Sequence, residues 1–146
     1  MNNIKFELHG FADASVKLFG CCVYVRFFNA NFSRASLIAS KSRVAPLDKN
    51  TMPRLELSAA LLLTKLLASI YDQLISIYNI SNIVYWTDST ICLHWIFNAN
   101  NTYEQFVQNR LIKIRELSLI YNWSYIESYR NPADRTSRGS SLKKLK

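Results

Sequence analysis

Ile83-Val84-Tyr85-Trp86-Thr87-Asp88-Ser89-Thr90 reads as a strand of β-branched and aromatic residues that ends on an acid and passes into a helix start. A carboxylate at the end of a buried strand contributes nothing to packing, and an unpaired charge at that depth is costly. Asp88 therefore needs compensation. Three further acids occupy equally unfavourable settings: Asp13 after Leu8-His9-Gly10-Phe11-Ala12, Glu56 within the apolar segment 53–67, and Asp134 in Asn131-Pro132-Ala133-Asp134. Convergence of all four on divalent metal is the reading that accounts for them together.

The chain has 146 residues, enough for one domain with a substantial core, and its 49% hydrophobic and 13% aromatic content suits a folded globule. No apolar run is long enough and free enough of charge to span a bilayer; Glu56 and Lys65 interrupt the best one, residues 55–70. The start, Met1-Asn2-Asn3-Ile4-Lys5, lacks the regions of a signal peptide, so a soluble intracellular protein is expected. Cys21 and Cys22 fall in a strand-like run and point to opposite faces; with Cys92 they are expected to be buried free thiols rather than disulfides or a zinc site. Lys and Arg total 18 against 10 acids, a net charge of +8. If the four suspect acids are neutralised by metal, the remaining surface is more basic still, which favours a polyanionic partner such as nucleic acid.

Taken in order, residues 4–11 read as a strand delivering Asp13 at its end, 20–28 as a second and 32–42 as a third; short connections suggest antiparallel neighbours. The basic exit Ser40-Lys41-Ser42-Arg43-Val44-Ala45-Pro46 follows. Thr51 caps a long helix reaching about residue 77, with Pro53 in the first turn, where its missing N–H does no harm. That helix is apolar on most faces and is expected to be covered on two sides. Glu56 is its anomaly, although an acid in a first turn has an ordinary explanation in the helix dipole. Residues 80–86 form a fourth strand, and Asp88 opens a helix over 89–97 whose N-terminus favours the ionised carboxylate. After a polar connection, 98–102, a helix over 103–121 places Phe106, Val107, Ile114 and Leu117 toward the core and leaves Lys113 and Arg115 facing outward. Residues 123–127 make a fifth strand, and from residue 130 onward Arg130, Arg135, Arg138, Lys143, Lys144 and Lys146 stand against the single acid Asp134. The fold class is α/β, a five-stranded mixed sheet flanked by helices. Open sheets of this class place their sites at the carboxyl ends of neighbouring parallel strands, so Asp13 and Asp88 are expected side by side.

In order and spacing, Phe11-Ala12-Asp13-Ala14-Ser15, Pro53-Arg54-Leu55-Glu56-Leu57, Trp86-Thr87-Asp88-Ser89-Thr90, and Asn131-Pro132-Ala133-Asp134 followed by Ser137-Arg138-Gly139 resemble the ribonuclease H domain of retroelement polyproteins. Lys41-Ser42-Arg43-Val44-Ala45-Pro46 and Phe106-Val107-Gln108-Asn109-Arg110 bring the likeness nearest to BEL/Pao-type LTR retrotransposons. Each motif is weak alone; together, in register over residues 10–139, they are specific. The resemblance implies a ribonuclease H-like fold over residues 1–139, with 140–146 a basic tail or the start of a linker. It also implies an endonuclease that cuts the RNA strand of RNA/DNA hybrids during reverse transcription, using two Mg²⁺ ions about 3.5–4 Å apart, with Mn²⁺ as a substitute. Carried over by motif, Asp13 bridges both ions, Glu56 and Asp88 hold the ion near the nucleophile, and Asp134 holds or tunes the other. Glu56 thereby acquires a role beyond the helix dipole. Glu56 and the backbone around Ala14-Ser15 are expected to meet ribose 2′-hydroxyls, and Ser15, Lys41, Arg43, Arg110, Lys113 and Arg135 to contact nucleic acid. The implied partners are the RNA/DNA hybrid and a reverse transcriptase domain of the same polyprotein, without a membrane, in cytoplasm, nucleus or virus-like particles.

The chain also departs from relatives. Many cellular ribonucleases H have a His in the loop before the last acid, and residues 125–134 contain none. The connection 98–102 lacks the basic helical protrusion of bacterial-type enzymes, and there is no Tyr-x-Asp-Asp polymerase motif. Other readings weigh less. Trp86 and Trp95 suit core aromatics better than base-stacking platforms, His94 suits a structural helix position, and the C-terminal cations serve equally as a solvated linker or as phosphate contacts. Asp88-Ser89-Thr90 lacks the Gly of an aspartic peptidase turn and does not recur. In an integrase the glutamate comes last, whereas Glu56 lies between Asp13 and Asp88. A non-catalytic nucleic-acid-binding or tethering fragment is the alternative; retention of four mutually repelling acids argues against it.

Overall fold

The computed structural model describes residues 3–46 and 51–134. Strands β1 (Lys5–Ala14), β2 (Leu18–Phe28) and β3 (Ser33–Val44) form an antiparallel meander. Their connections are too short for anything but hairpins, and Asn29 closes the second one by accepting from the Asn31 and Phe32 amides at 2.8 and 3.1 Å. Helix α1 (Met52–Leu74) then carries the chain back so that β4 (Ile80–Thr87) pairs parallel with β1. Helices α2 (Thr90–Phe97) and α3 (Gln105–Leu117) follow, and β5 (Trp123–Tyr125) pairs parallel with β4. The sheet order is β3-β2-β1-β4-β5, the five-stranded mixed sheet expected from the sequence.

Alternation along β1 sorts the molecule into two faces. Leu8, Gly10 and Ala12 turn toward the helices and join Val23, Leu57, Ala60, Leu63, Leu67, Ile96, Leu111 and Ile114 in one core. Gly10 permits a close approach here, since a β-carbon would lie 2.5 Å from Leu63 Cδ1 and 2.8 Å from Leu67 Cδ1. Helix α1 is covered on two sides, by the sheet and by α2 and α3, which is why apolar residues occupy most of its circumference. The opposite face of the sheet is polar and aromatic. There the Trp86 indole donates to His9 Nδ1 at 3.0 Å, His9 Nε2 lies 3.0 Å from Glu7, and Arg26 donates to the same carboxylate at 2.9 Å. Because an indole N–H only donates, a neutral His9 carries its proton on Nε2 and passes it toward Glu7. Burial raises the Glu7 carboxyl, and the bonds from His9 and Arg26 more than reverse this, leaving it below its ordinary value.

Several expectations need correcting. β1 continues three residues past the expected end and includes Asp13, while α1 stops at Leu74 rather than near residue 77. Ser89, not Asp88, caps α2, its hydroxyl accepting from the Cys92 amide at 3.1 Å. Helix α3 spans fewer residues than expected, 105–117, and leaves Leu117 exposed. Arg115 does not point outward: its guanidinium is half-buried and donates to the Trp95 carbonyl at 2.8 Å, satisfying a C-terminal carbonyl of α2. Trp86 belongs to the polar face rather than to the helix-covered core. The three cysteines are buried and free, as expected, and burial pushes each thiol up to about 12. No helix of the described residues is long and apolar enough to cross a membrane.

Candidate functional site

Two parallel strands deliver the first pair of acids. Ala12 of β1 pairs with Thr87 of β4, so Asp13 and Asp88 leave neighbouring strands one residue beyond a shared rung. Asp13 is buried, at 8% exposure, and lies opposite Gly20 of β2. The turn after β4 is held by its own side chains: Thr87 Oγ1 accepts from the Ser89 amide at 3.1 Å, and Ser89 then caps α2. That turn presents Asp88 at the carboxyl end of the sheet.

Glu56 arrives from α1. The Cys92 thiol, in the first turn of α2, donates to the Pro53 carbonyl at 3.5 Å and so fastens the two helix starts together. Glu56 is the fifth residue of α1, past the first turn, so the helix dipole accounts for it poorly. Burial, then the neighbouring Asp88 charge, push its carboxyl up to about 7, and a hydrogen bond with Ser89 partly offsets them. Glu56 and Asp88, both half-buried, are thus close enough for one charge to act on the other, a pair that a cation would stabilise. Among the described residues, no group of three or more His, Cys, Asp or Glu side chains is arranged to hold a metal ion. The site offers Glu56 with Asp88, and Asp13 on the adjacent strand. Such oxygen donors suit a hard divalent cation that keeps much of its water, and they do not suit a closed cage.

Asp134 is brought to this end of the sheet by a residue whose part the sequence did not disclose. Asn131 is buried, and its amide donates to the Ala12 carbonyl at 2.9 Å while its Oδ1 accepts from the Ala133 amide at 3.0 Å. One side chain thus fixes the turn that carries Asp134 to the strand that carries Asp13. The only hint in the sequence is that Asn before Pro favours a turn. Ser89 is the second such residue, and its hint was the preference of Ser for helix caps.

The residues expected to contact nucleic acid are scattered. The Ser15 hydroxyl is engaged with the Leu18 backbone at 3.2 Å in the β1–β2 turn. Lys41 and Arg43 are exposed on the edge strand β3, and Lys113 is exposed beside Glu116 at 3.5 Å. Arg110 lies 3.5 Å over the Phe106 ring and lines one groove with Arg43. Arg135 falls outside the described residues.

Solved structures resemble this chain in fold. LC11-RNase H1, determined in complex with an RNA/DNA hybrid, superposes with a TM-score of 0.58 at 13% identity over 99% of this chain and 100% of that one. RNase H1 from the halophilic archaeon Halobacterium salinarum NRC-1 gives 0.53 at 12% identity over 93% and 99%. The N-terminal RNase H domain of a Mycobacterium tuberculosis protein, solved as a maltose-binding-protein fusion, gives 0.51 at 10% identity over the full length of both. No curated protein matches the sequence. The family described as Pao retrotransposon-like RNaseH-like domain matches residues 1–89, more than half of the chain, and the protein belongs to that family.

Proposed function

We propose that the protein is a metal-dependent ribonuclease H that cuts the RNA strand of RNA/DNA hybrids within a retroelement polyprotein, alongside a reverse transcriptase domain. The observation that carries this reading is the Glu56–Asp88 pair, a carboxyl pushed up to about 7 against a second acid at the carboxyl end of two parallel strands. A protein gains no stability from that juxtaposition, so the pair makes sense as a cation site. Asp13, Glu56, Asp88 and Asp134 are the residues assigned to hold Mg²⁺, or Mn²⁺ in its place. When bound, two such ions supply an activated water and charge stabilisation at the leaving oxygen. The chain's own contribution is positional. Ser89 orients Glu56, the Ala12–Thr87 rung aligns Asp13 with Asp88, and Asn131 ties the Asp134 turn to the strand that carries Asp13.

A second reading is favoured by a separate observation. The described residues contain no ready-made group of three metal-binding side chains, as would suit a nucleic-acid-binding or tethering module without catalysis. Cleavage of a labelled RNA/DNA hybrid by the purified chain decides between them. RNA-only cutting with Mg²⁺ or Mn²⁺, abolished by chelator and reduced a hundredfold or more by Asp88→Asn, is the expected result. Hybrid binding without cutting at any metal concentration would favour the tethering module.

A further inference from the structure

Strand β3 forms one border of the sheet, and its outer edge pairs with no strand among the described residues. Native edge strands are commonly short, yet this one runs for 12 residues, and all of them except Ala39 are exposed. Every second residue turns a backbone N–H and C=O outward, where another strand can bond them. The register with β2 shows what the helix side of this edge carries. Ser36 stands opposite Val25, Ala39 opposite Val23, Lys41 opposite Cys21 and Arg43 opposite Phe19. Val23 and Cys21 lie in the core and Val25 and Phe19 pack against it, so their partners belong to the helix side of the sheet. Arg34, two residues before Ser36, shares that side. Along it β3 reads cation, small and apolar centre, cation, and the strand holds no acid.

The centre of that edge opens onto a groove. Val23 pairs with Ala39 and Tyr24 with Leu37, which leaves Ile38 as a bulge residue without a partner on β2. Ile38, 41% exposed, lines an apolar groove of about 370 Å³ with Phe6, Val25, Ile70, Leu74 and Tyr78. No charged side chain lines it. Leu74 lies about 27 Å along α1 from Glu56, so the groove belongs to the end of the molecule away from the acids. We propose that β3 accepts an extended polypeptide segment as a sixth strand, one that sets an apolar side chain in the groove between two acidic side chains facing Arg34 and Lys41. Charge excludes a second copy of this chain from the same place. Antiparallel self-pairing centred on Ile38 would set Arg34 of one copy beside Lys41 and Arg43 of the other, a like-charge contact at both ends. The cations that deter self-pairing thus select an acidic strand. A nucleic-acid backbone would answer the cations but has nothing to place in the groove. No acid of the candidate site takes part, so the inference stands apart from the ribonuclease H reading.

The probe is a labelled nine-residue peptide with Glu at its second and eighth positions, Leu at its fourth and sixth and Thr elsewhere, so that acids and apolar groups share one face. Its binding to the purified chain is measured by fluorescence anisotropy. Saturable binding is expected, weakened about tenfold or more by Arg34→Glu plus Lys41→Glu, two exposed positions. The same double variant should recover binding when Lys replaces Glu in the probe, which also shows that it is folded. A probe with Ser in place of Leu should bind at least tenfold more weakly to the parent chain. Two further probes are N-methylated on alternate amides, one along each edge of the strand. One should bind and the other should not, because only one edge of an added strand faces β3. No binding of the Glu probe overturns the proposal, as does an absence of any difference between the two N-methylated probes. Equal binding of the Ser probe also overturns it and leaves a basic surface only. Sedimentation of the chain as a dimer that excludes the probe would place a second copy on the edge instead.

Discussion

Helix α1 and strand β1 each belong to two regions that obey opposite rules. Midway along them, Leu57, Ala60, Leu63 and Leu67 close over Leu8, Gly10 and Val23, fully buried and apolar, with Gly10 where a β-carbon would press on the Leu63 and Leu67 methyls. At their ends, the same helix and strand supply Glu56 and Asp13, and the neighbouring β4 adds Asp88, all carboxylates and all partly or wholly removed from water. The first region repays the conformational entropy of folding through buried apolar area. The second draws on that stability, because desolvated like charges oppose folding until a counter-charge arrives. Glu56 and Leu57 are adjacent in sequence and lie on opposite sides of this division. The acids proposed to capture a cation are thus carried by the same helix and strand that close the core.

Truncating the apolar region should have the largest effect on stability. Leu63→Ala removes a fully buried side chain that packs directly against β1, and a loss of about 2–5 kcal/mol is expected in urea unfolding. A loss below about 1 kcal/mol would mean that the helix–sheet seam collapses around the gap and is less rigid than its packing implies. Asn131→Ala should fall between the two regions, costing about 1–3 kcal/mol because the Ala12 carbonyl and the Ala133 amide lose a buried partner. Since it also frees the turn bearing Asp134, hybrid cleavage should fall by more than the stability loss explains. Equal cleavage at a temperature where the variant is folded would remove Asn131 from the site.

The smallest expected effect has the opposite sign. Between pH 4.5 and about 7 the unfolded chain has lost the Glu56 proton while the folded chain retains it, so the folded state binds more protons and stability declines as pH rises. Glu56→Gln abolishes that decline. In metal-free buffer at pH 8 the variant should be more stable by about 1–2 kcal/mol, a value reduced from full linkage because the carboxyl is partly exposed. The gain should vanish below pH 4.5 and shrink when Mg²⁺ is added to both proteins. A variant less stable than the parent at pH 8 would show that Glu56 supports the fold, and the contrast between the two regions would disappear.

Much of this was open to reading in the linear chain, for a physical reason. Strand alternation and helical periodicity are local, so residues 80–87 and the long apolar helix disclosed themselves, and the acids stood out because apolar segments tolerate few charges. Even the adjacency of Asp13 and Asp88 followed from a general property of parallel strands, and the Ala12–Thr87 rung agrees with it. Apart from the ends of β1, α1 and α3, the misreadings concern side chains with more than one local use. Asp88 and Ser89 are both acceptable helix caps, and the backbone of the β4 turn selects Ser89. Arg115 sits at a helical position that local periodicity leaves to solvent, and only the end of α2 lying 20 residues earlier turns it inward.

By itself, then, the amino-acid order determined the mixed five-stranded sheet, the apolar helix over it, and the identity of the acids that sit awkwardly in both. Tertiary structure alone decided which polar groups meet. Asn131 reaches Ala12 across 119 residues, His9 pairs with Trp86 across 77, and Arg43, Lys65 and Arg110 come to one groove from three separate elements. Hydrophobic burial depends on pattern and can be read one segment at a time, whereas a hydrogen bond or a charge cluster depends on distance and direction, which exist only once the segments have packed.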